Sequence, residues 1–364
     1  MFHVASSLYK SGNLERIRTS IPKFRIGEQV IPSNLINADS RYHLALTTLV
    51  RAGLGSPDFH MNLALKNIHY LDRKTSHQIG NSNLIAMSSL GLLTARTVKR
   101  RGNIFIVNRS SHHILAQKVI LEELATNWAW DELIPSQESI ERELEEYELA
   151  DKIIVPSKAS YDSFSAQNVN MDKVVINPFP LTKNTEPNSA SMRRDILFVG
   201  SVTLRKGFHT LVKAFNSLNM PGVKLHVVGI YSKEFLIFLR KNGLDLVNVV
   251  FYGPLNSTTL IRFYRTIDVL VLPSIEDGWG MVVNEAMVQG CIPIVSTGAG
   301  SSDQIENGKN GYVFEAGNID ELKNCIQQAL GNEQLRLTLF NSIETSTYFQ
   351  RNWDDFSRIY LDAI

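Results

Sequence analysis

The segment Pro273-Ser-Ile-Glu-Asp-Gly-Trp-Gly-Met-Val-Val-Asn-Glu-Ala-Met-Val-Gln-Gly290 gathers the densest set of groups able to do chemistry. An apolar run ends in a turn that holds two acids and two glycines, and helical spacing resumes almost at once. Peptide N–H groups in the first turn of such a helix, near Met281 and Val282, lack an intrahelical partner and can bind a phosphate. Gly278 and Gly280 let the backbone on either side of Trp279 approach a ligand closely. Asp277 lies in the turn and Glu285 lies eight positions on, early in the helix. A carboxylate placed like Glu285 can accept hydrogen bonds from a vicinal diol, as acids do for ribose in dinucleotide sites. The loop acid can bind hydroxyls of a second sugar. The plainer alternative is a tight turn with Glu285 as an acid favoured near a helix start. Two acids with two glycines exceed what a turn needs.

A second segment, Phe198-Val-Gly-Ser-Val-Thr-Leu-Arg-Lys-Gly-Phe208, has the same shape. An apolar run ends at Gly200-Ser201, and the pair Arg205-Lys206 precedes Gly207. These cations could neutralise a diphosphate. Fixed positive charge aimed at a leaving diphosphate can do the work of a metal ion, and the chain contains no Asp-x-Asp triplet. Taken by itself, the segment reads better as an exposed basic turn.

Both segments require strands that end side by side. From about residue 83 short apolar runs alternate with helical patterns: strands at 84–87, 104–107 and 152–155, with helices at 92–100 and 113–124. A stretch rich in Pro, Asn, Ser and Thr follows, at 177–180 and 183–191. The alternation then restarts with strands at 196–199, 224–228, 249–252, 268–272 and 292–295, separated by helical segments. Such alternation implies βαβ units and parallel sheets. The expected fold class is therefore α/β, with two doubly wound domains around a cleft and ligands at the carboxyl ends of the strands. At the amino terminus, Phe2 to Ala5 reads as at most a short strand and Leu8 to Ile17 as a helix broken by Gly12.

Together the two segments resemble the group 1 (family 4) glycosyltransferases, retaining enzymes of the GT-B architecture. Gly200, Lys206-Gly207, Pro273-Ser274, Gly278-Trp-Gly280, Glu285-Ala-Met287, Gly290 and Pro293 match the family's donor-domain pattern in order and spacing. Asn307-Gly-Lys-Asn-Gly-Tyr-Val-Phe314 continues it. Glu146-Tyr-Glu-Leu-Ala-Asp-Lys-Ile-Ile-Val-Pro-Ser157 is similar to a segment nearer the family's amino terminus. Arg109-Ser-Ser-His-His-Ile-Leu-Ala-Gln117 is similar to the segment that ends in its active-site histidine, which falls at His113 with His112 one step away. Three positions depart from the pattern: Asp277 for the first acid of the E-x7-E pair, with Glu276 beside it; Ser201 for the arginine after the glycine; and Phe179-Pro-Leu181 for an interdomain Gly-Val-Asp.

The resemblance implies a GT-B molecule of two Rossmann-like domains facing a central cleft. The acceptor-binding domain is expected at 1–182, a linker at 183–194, the donor-binding domain at 195–350 and a helix returning to the first domain at 351–364. The implied catalytic set is His113, Lys206, Asp277 and Glu285. The implied donor-binding set is Gly200, Ser201, Arg205, Lys206, Gly253, Gly278, Trp279, Gly280, Met281, Val282 and Glu285. The expected activity moves a sugar, with retention, from a UDP- or GDP-sugar to a glycan, lipid-linked or small-molecule acceptor. No cofactor and no metal are expected; the nucleotide sugar is the donor substrate. The alternatives are a GT-B protein that binds a nucleotide sugar or glycan without transfer, and a nucleotide-sugar epimerase. The family opens with a strand and a glycine-rich loop, which the first residues here do not match, so a truncated opening is also expected.

Composition sets the outer bounds. The 364 residues suggest two domains, and 44% hydrophobic with 20% charged residues is an ordinary globular balance. No apolar run approaches bilayer length, and the opening residues do not read as a signal peptide. Two cysteines make no disulfide framework and fit a reducing, cytoplasmic setting. The net charge of +1 conceals an asymmetry: residues 1–130 hold 16 basic and 7 acidic residues, the remainder 21 and 29. The basic half is a candidate for contact with an anionic membrane. Scattered charge without a binding motif argues against nucleic acid.

Overall fold

A computed structural model describes residues 2–23, 26, 30–52, 54, 57–181, 193–218, 220–345 and 350–364. Its first part contains helix α1 (Phe2–Lys10), strands β1 (Ile17–Thr19) and β2 (Ile36–Ala38), α2 (Arg41–Arg51), α3 (Pro57–Gln78), β3 (Leu84–Met87), α4 (Leu92–Arg100), β4 (Phe105–Asn108), α5 (Ile114–Trp128), α6 (Gln137–Leu149), β5 (Lys152–Val155), α7 (Lys158–Ser165) and β6 (Val174–Ile176). β3, β4, β5 and β6 pair in that order, all parallel. Apolar residues point to both faces of this sheet, as a parallel sheet covered on both sides requires. Phe105, Val107, Ile153 and Val155 pack on one face with Tyr147 and Phe164. Ile106 and Ile154 pack on the other with Val4 and Leu8 of α1.

The second part comprises β7 (Arg193–Val199), α8 (Phe208–Ser217), β8 (Leu225–Val228), α9 (Lys233–Lys241), β9 (Val249–Gly253), α10 (Ser257–Thr266), β10 (Ile267–Leu272), α11 (Met281–Met287), β11 (Ile292–Ser296), β12 (Tyr312–Phe314), α12 (Ile319–Ala329) and α13 (Glu333–Thr345). Its six strands run parallel in the order β12-β11-β10-β7-β8-β9. The order reverses between β7 and β10, which are nevertheless neighbours. Ile196, Phe198, Val269 and Val271 face one core, and Leu197, Leu270 and Leu272 face the other. Serine or asparagine caps α6, α7, α9, α10 and α12 with a side-chain oxygen on a first-turn N–H.

A last helix, α14 (Trp353–Leu361), begins with a capping box at Asn352 and packs against α1. Phe356 and Tyr360 fill the same core as Val4 and Leu8, and the Asn177 side chain donates to Phe356 O at 3.0 Å. The opening differs from the expected one. Phe2–Lys10 is a helix, and Ile17 belongs to a strand. The helix stops where Gly12 takes a φ of +75°. Its buried face, Val4, Ser7 and Leu8, lies on a partner far away in the sequence, so local pattern alone could not reveal it. Residues 183–192 of the expected linker lie outside the described residues, and 193–194 already belong to β7. Among the described residues no helix is long and apolar enough to cross a membrane.

Candidate functional site

The reversal of strand order between β7 and β10 is a topological switch point, where open α/β sheets bind ligands in the crevice at the strand ends. The loop after β7 carries Gly200, Ser201, Arg205 and Lys206. The loop after β10 carries Glu276, Asp277, Gly278, Trp279 and Gly280. The two loops are bonded to each other, since Ile275 N and Glu276 N both donate to Arg205 O at 2.8 and 3.4 Å. Gly207 makes this approach possible: its φ is +68°, and a Cβ there would lie 1.7 Å from Pro273 O.

Each basic residue of the first loop meets an acid of the second. Lys206 Nζ pairs with Asp277 Oδ2, and Arg205 Nη1 lies 2.8 Å from Glu276 Oε2. Both Lys206 and Asp277 are partly exposed, so the pair can exchange partners with a ligand. Glu276 differs, being fully buried. Its Oε1 takes the Ser111 hydroxyl, His112 N at 3.2 Å and His112 Nδ1 at 2.8 Å; its Oε2 takes Gln117 Nε2 at 2.9 Å as well as Arg205. Burial alone would raise its pKa. The hydrogen bond from His112, the charges of Arg205 and His112 and the Ser111 hydroxyl overcome that and hold the carboxyl well below its ordinary value.

Glu285 stands on α11, one turn beyond its start, exposed, with its carboxylate accepting from Tyr264 OH at 3.0 Å. The protein around it raises its pKa, and the Tyr264 hydroxyl offsets part of this. Thus Lys206 and Asp277 are brought together, whereas Glu285 faces α10 and has its own partner. Met281 and Val282 open α11 and are half-buried. Ser201 is exposed. Gly200 closes β7 with its N–H on Val228 O, and Gly253 accepts from Gly229 N at the end of β9, two strands away.

One expected residue, His113, turns away from the crevice. His113 is only 1% exposed. Its ring lies 4.8 Å from Phe164 and 5.1 Å from Tyr147, and its Nδ1 accepts from Leu115 N to cap α5. Burial, aided by the Arg109 charge, pushes its pKa down to about 4. His113 is therefore a neutral core residue, and the histidine that turns toward the second domain is its neighbour His112. Trp279 is likewise buried. Its Nε1 donates to Asn284 Oδ1 at 3.1 Å, its N–H faces Asp277 Oδ1 at 3.4 Å, and its carbonyl accepts from Ser301 N. Its backbone, the part expected to face the donor sugar, remains in the β10 loop at the switch point.

The domains touch at this place. A Cβ on Gly278 would meet Ser110 O at 2.1 Å, so only glycine lets the β10 loop lie against the loop between β4 and α5. Lys158 N donates to Asp303 Oδ2 at 2.7 Å. The turn at 298–301 backs the β10 loop through Asp277 N on Gly298 O, Gly300 N on Asp277 O and Ser301 N on Trp279 O. A further contact comes from the turn after α5. Trp128 packs edge-on against His209 at 4.7 Å, and Trp130 packs against Phe235 and Phe238. Glu132 beside them accepts Leu204 N at 2.7 Å and Arg205 N at 3.3 Å. Sequence reasoning missed Glu132; the tryptophan-rich run Trp128-Ala-Trp130 in a turn was the available signal. In the basic first part of the chain, Arg96 and Lys99 of α4 are tied to acids, Arg96 to Glu145 and Lys99 to Asp151. Among the described residues no group of three or more His, Cys, Asp or Glu could hold a metal ion.

Two parallel-sheet domains meeting at a crevice on the carboxyl strand ends make the fold GT-B. Residues 182–343 match the model of the family described as glycosyl transferases group 1. Among curated proteins, the chain is 28% identical over 234 residues to an uncharacterized glycosyltransferase of Methanocaldococcus jannaschii, covering 59% of this chain and 60% of that protein. It is 27% identical over 177 residues to the capsular polysaccharide biosynthesis glycosyltransferase CapM of Staphylococcus aureus, covering 45% and 44%. The match thus spans less than two thirds of either relative. Among solved structures, Anabaena HepE in complex with UDP and glucose superposes with a TM-score of 0.65 at 15% identity, covering 99% of this chain and 94% of that one.

Proposed function

We propose that the chain is a glycosyltransferase that takes a sugar from a nucleotide diphosphate sugar held by the second domain and passes it to an acceptor held by the first. The observation that carries this reading is the pairing of Lys206 with Asp277 across the switch point. A diphosphate is a stronger partner for the ammonium than one carboxylate, so donor binding draws Lys206 onto phosphate and frees Asp277 to accept sugar hydroxyls. As the bond from the anomeric carbon to the diphosphate breaks, negative charge builds on the departing oxygen, and Lys206 stabilises it. Glu285 takes the ribose diol, exchanging its Tyr264 hydroxyl for those of the nucleotide. His112 supplies the histidine of the acceptor side.

The finer reading is a UDP- or GDP-sugar donor, a glycan, lipid-linked or small-molecule acceptor, transfer with retention and no metal requirement. The capsular polysaccharide enzyme among the relatives supports a glycan acceptor and the HepE complex with UDP supports a nucleotide-sugar donor, while retention and metal independence rest on the motif resemblance alone. Domain limits at 1–182 and 195–350 belong to the same reading, as does a cytoplasmic protein whose first domain contacts anionic lipid; sedimentation with anionic vesicles tests the last point. Contact between the domains at Gly278 keeps water from the donor, which limits its hydrolysis. The direct test incubates the purified protein with UDP- and GDP-sugars and candidate acceptors and follows both nucleotide diphosphate release and the glycosylated product. Release that depends on acceptor supports transfer. Interconversion of the nucleotide sugar without acceptor indicates an epimerase instead.

A further inference from the structure

We infer that Glu276 is a positioning residue that sets Arg205 of the donor loop and His112 of the acceptor domain in one fixed arrangement. This rests on the proposed transferase reading for its effect on nucleotide binding, but not for its effect on the two segments. Three observations carry it. First, the carboxylate is fully buried where the domains meet, and its two oxygens are divided between donors of both: Ser111, His112 and Gln117 from the first, Arg205 from the second. Second, its partners are themselves held. Gln117 Oε1 accepts Arg109 Nη2 at 2.8 Å, which turns the amide so that its NH2 faces Glu276. Arg109 in turn pairs with buried Glu143 at 3.0 Å. Third, the Arg205 main chain is gripped at the same time, its N–H by Glu132 of the first domain and its carbonyl by the N–H groups of Ile275 and Glu276. Arg205 is thereby fixed at the mouth of the switch point, its guanidinium direction set by Glu276.

A buried ionised carboxylate satisfied by several donors orients them strongly, and its removal takes from each of them the acceptor that fixes its direction. An amide at this position has a single accepting oxygen. It can serve the Ser111–His112 side or the Arg205–Gln117 side, but not both. Glu276 thus differs from Asp277, whose partly exposed ion pair can yield to a ligand. It holds the cation in place and does not itself touch the donor.

The test combines a double-mutant cycle with hydrogen exchange on the full chain. UDP and GDP are the probes, titrated calorimetrically into wild type, E276A, R205A and the double variant. E276A is expected to weaken the nucleotide that binds by about ten-fold, as loss of a hydrogen bond to a charged group does. In the R205A background the same change should cost less than about two-fold. Equal losses in both backgrounds overturn the inference, because Glu276 then does not act through Arg205. E276Q should fall between wild type and E276A, and keeps the question open to measurement should E276A fold poorly; E276Q binding as tightly as wild type overturns it. If wild type binds neither nucleotide, the donor reading fails, and hydrogen exchange decides on Glu276. The inference requires faster exchange in 111–117 and in 203–206 together in either variant, with β4 and β5 unchanged. Exchange that is unaltered, or altered on one side only, contradicts it.

Discussion

At the scale of single residues, the charges at the switch point are paired but replaceable. Lys206 and Asp277 neutralise each other at the partly exposed mouth of the switch point. Lys206→Ala is expected to lower turnover by more than about ten-fold if, as proposed, the cation acts on charge that develops as the diphosphate leaves. Steady-state kinetics check this, and a change confined to KM would instead mark simple ground-state binding. The task proposed for Glu285 is different. Its exposed carboxylate already accepts a hydroxyl, that of Tyr264, as it would accept those of ribose. Glu285→Ala should weaken nucleotide affinity by about ten-fold or more in a calorimetric titration, and unchanged affinity would remove Glu285 from the donor site. His113 belongs to neither group. Buried between Tyr147 and Phe164, it is packed like an aromatic core residue.

At the scale of elements, the loops after β7 and β10 are positioned by strands, and the loop after β3 by a helix. Glu146 on α6 is fully buried and accepts Ser89 N at 2.7 Å and Gly91 N at 2.9 Å, holding that loop to the helix. Burial raises its pKa to about 7 against the pull of these donors. A carboxyl whose folded pKa lies above its unfolded value binds more protons when folded, so its stabilising contribution is present below about pH 4.5 and is lost as pH rises through about 7. Urea unfolding at pH 5 and pH 8 should therefore show less pH dependence in Glu146→Gln than in wild type. The βαβ alternation of both domains was legible because buried parallel strands are short continuous apolar runs between turn residues. That Lys206 and Asp277 share one crevice was legible only through the resemblance to a donor-domain pattern, since Arg205-Lys206 alone reads better as an exposed basic turn; the structure brings the two side chains together. The opening helix was not legible, since its apolar face is satisfied by α14 at the other end of the chain. Nor was the choice between His112 and His113. Which of two adjacent histidines turns inward depends on where α5 begins, and the cap falls on His113. The role of Glu276 was not legible, because three of its side-chain partners, Ser111, His112 and Gln117, belong to the other domain.

At the scale of the whole molecule, two domains are held face to face by Gly278 against Ser110, by the Trp128–Trp130 turn against α9, and by α14 folding back on α1. Gly278→Ala leaves no room for that first contact. It should enlarge the radius of gyration in small-angle scattering and reduce transfer, while the circular dichroism of the helices stays unchanged. Activity in excess chelator should equal that without it, since the charge on the diphosphate is assigned to Lys206. The claim on which these depend is that the β7 and β10 loops grip a nucleotide diphosphate sugar. It is tested most directly by thermal unfolding of wild type and Lys206→Ala against a panel of UDP- and GDP-sugars. One nucleotide class should raise the midpoint of wild type with concentration, as a ligand bound only to the folded state must, and should raise that of the variant far less. No rise with any nucleotide sugar, or an equal rise in both proteins, would contradict it.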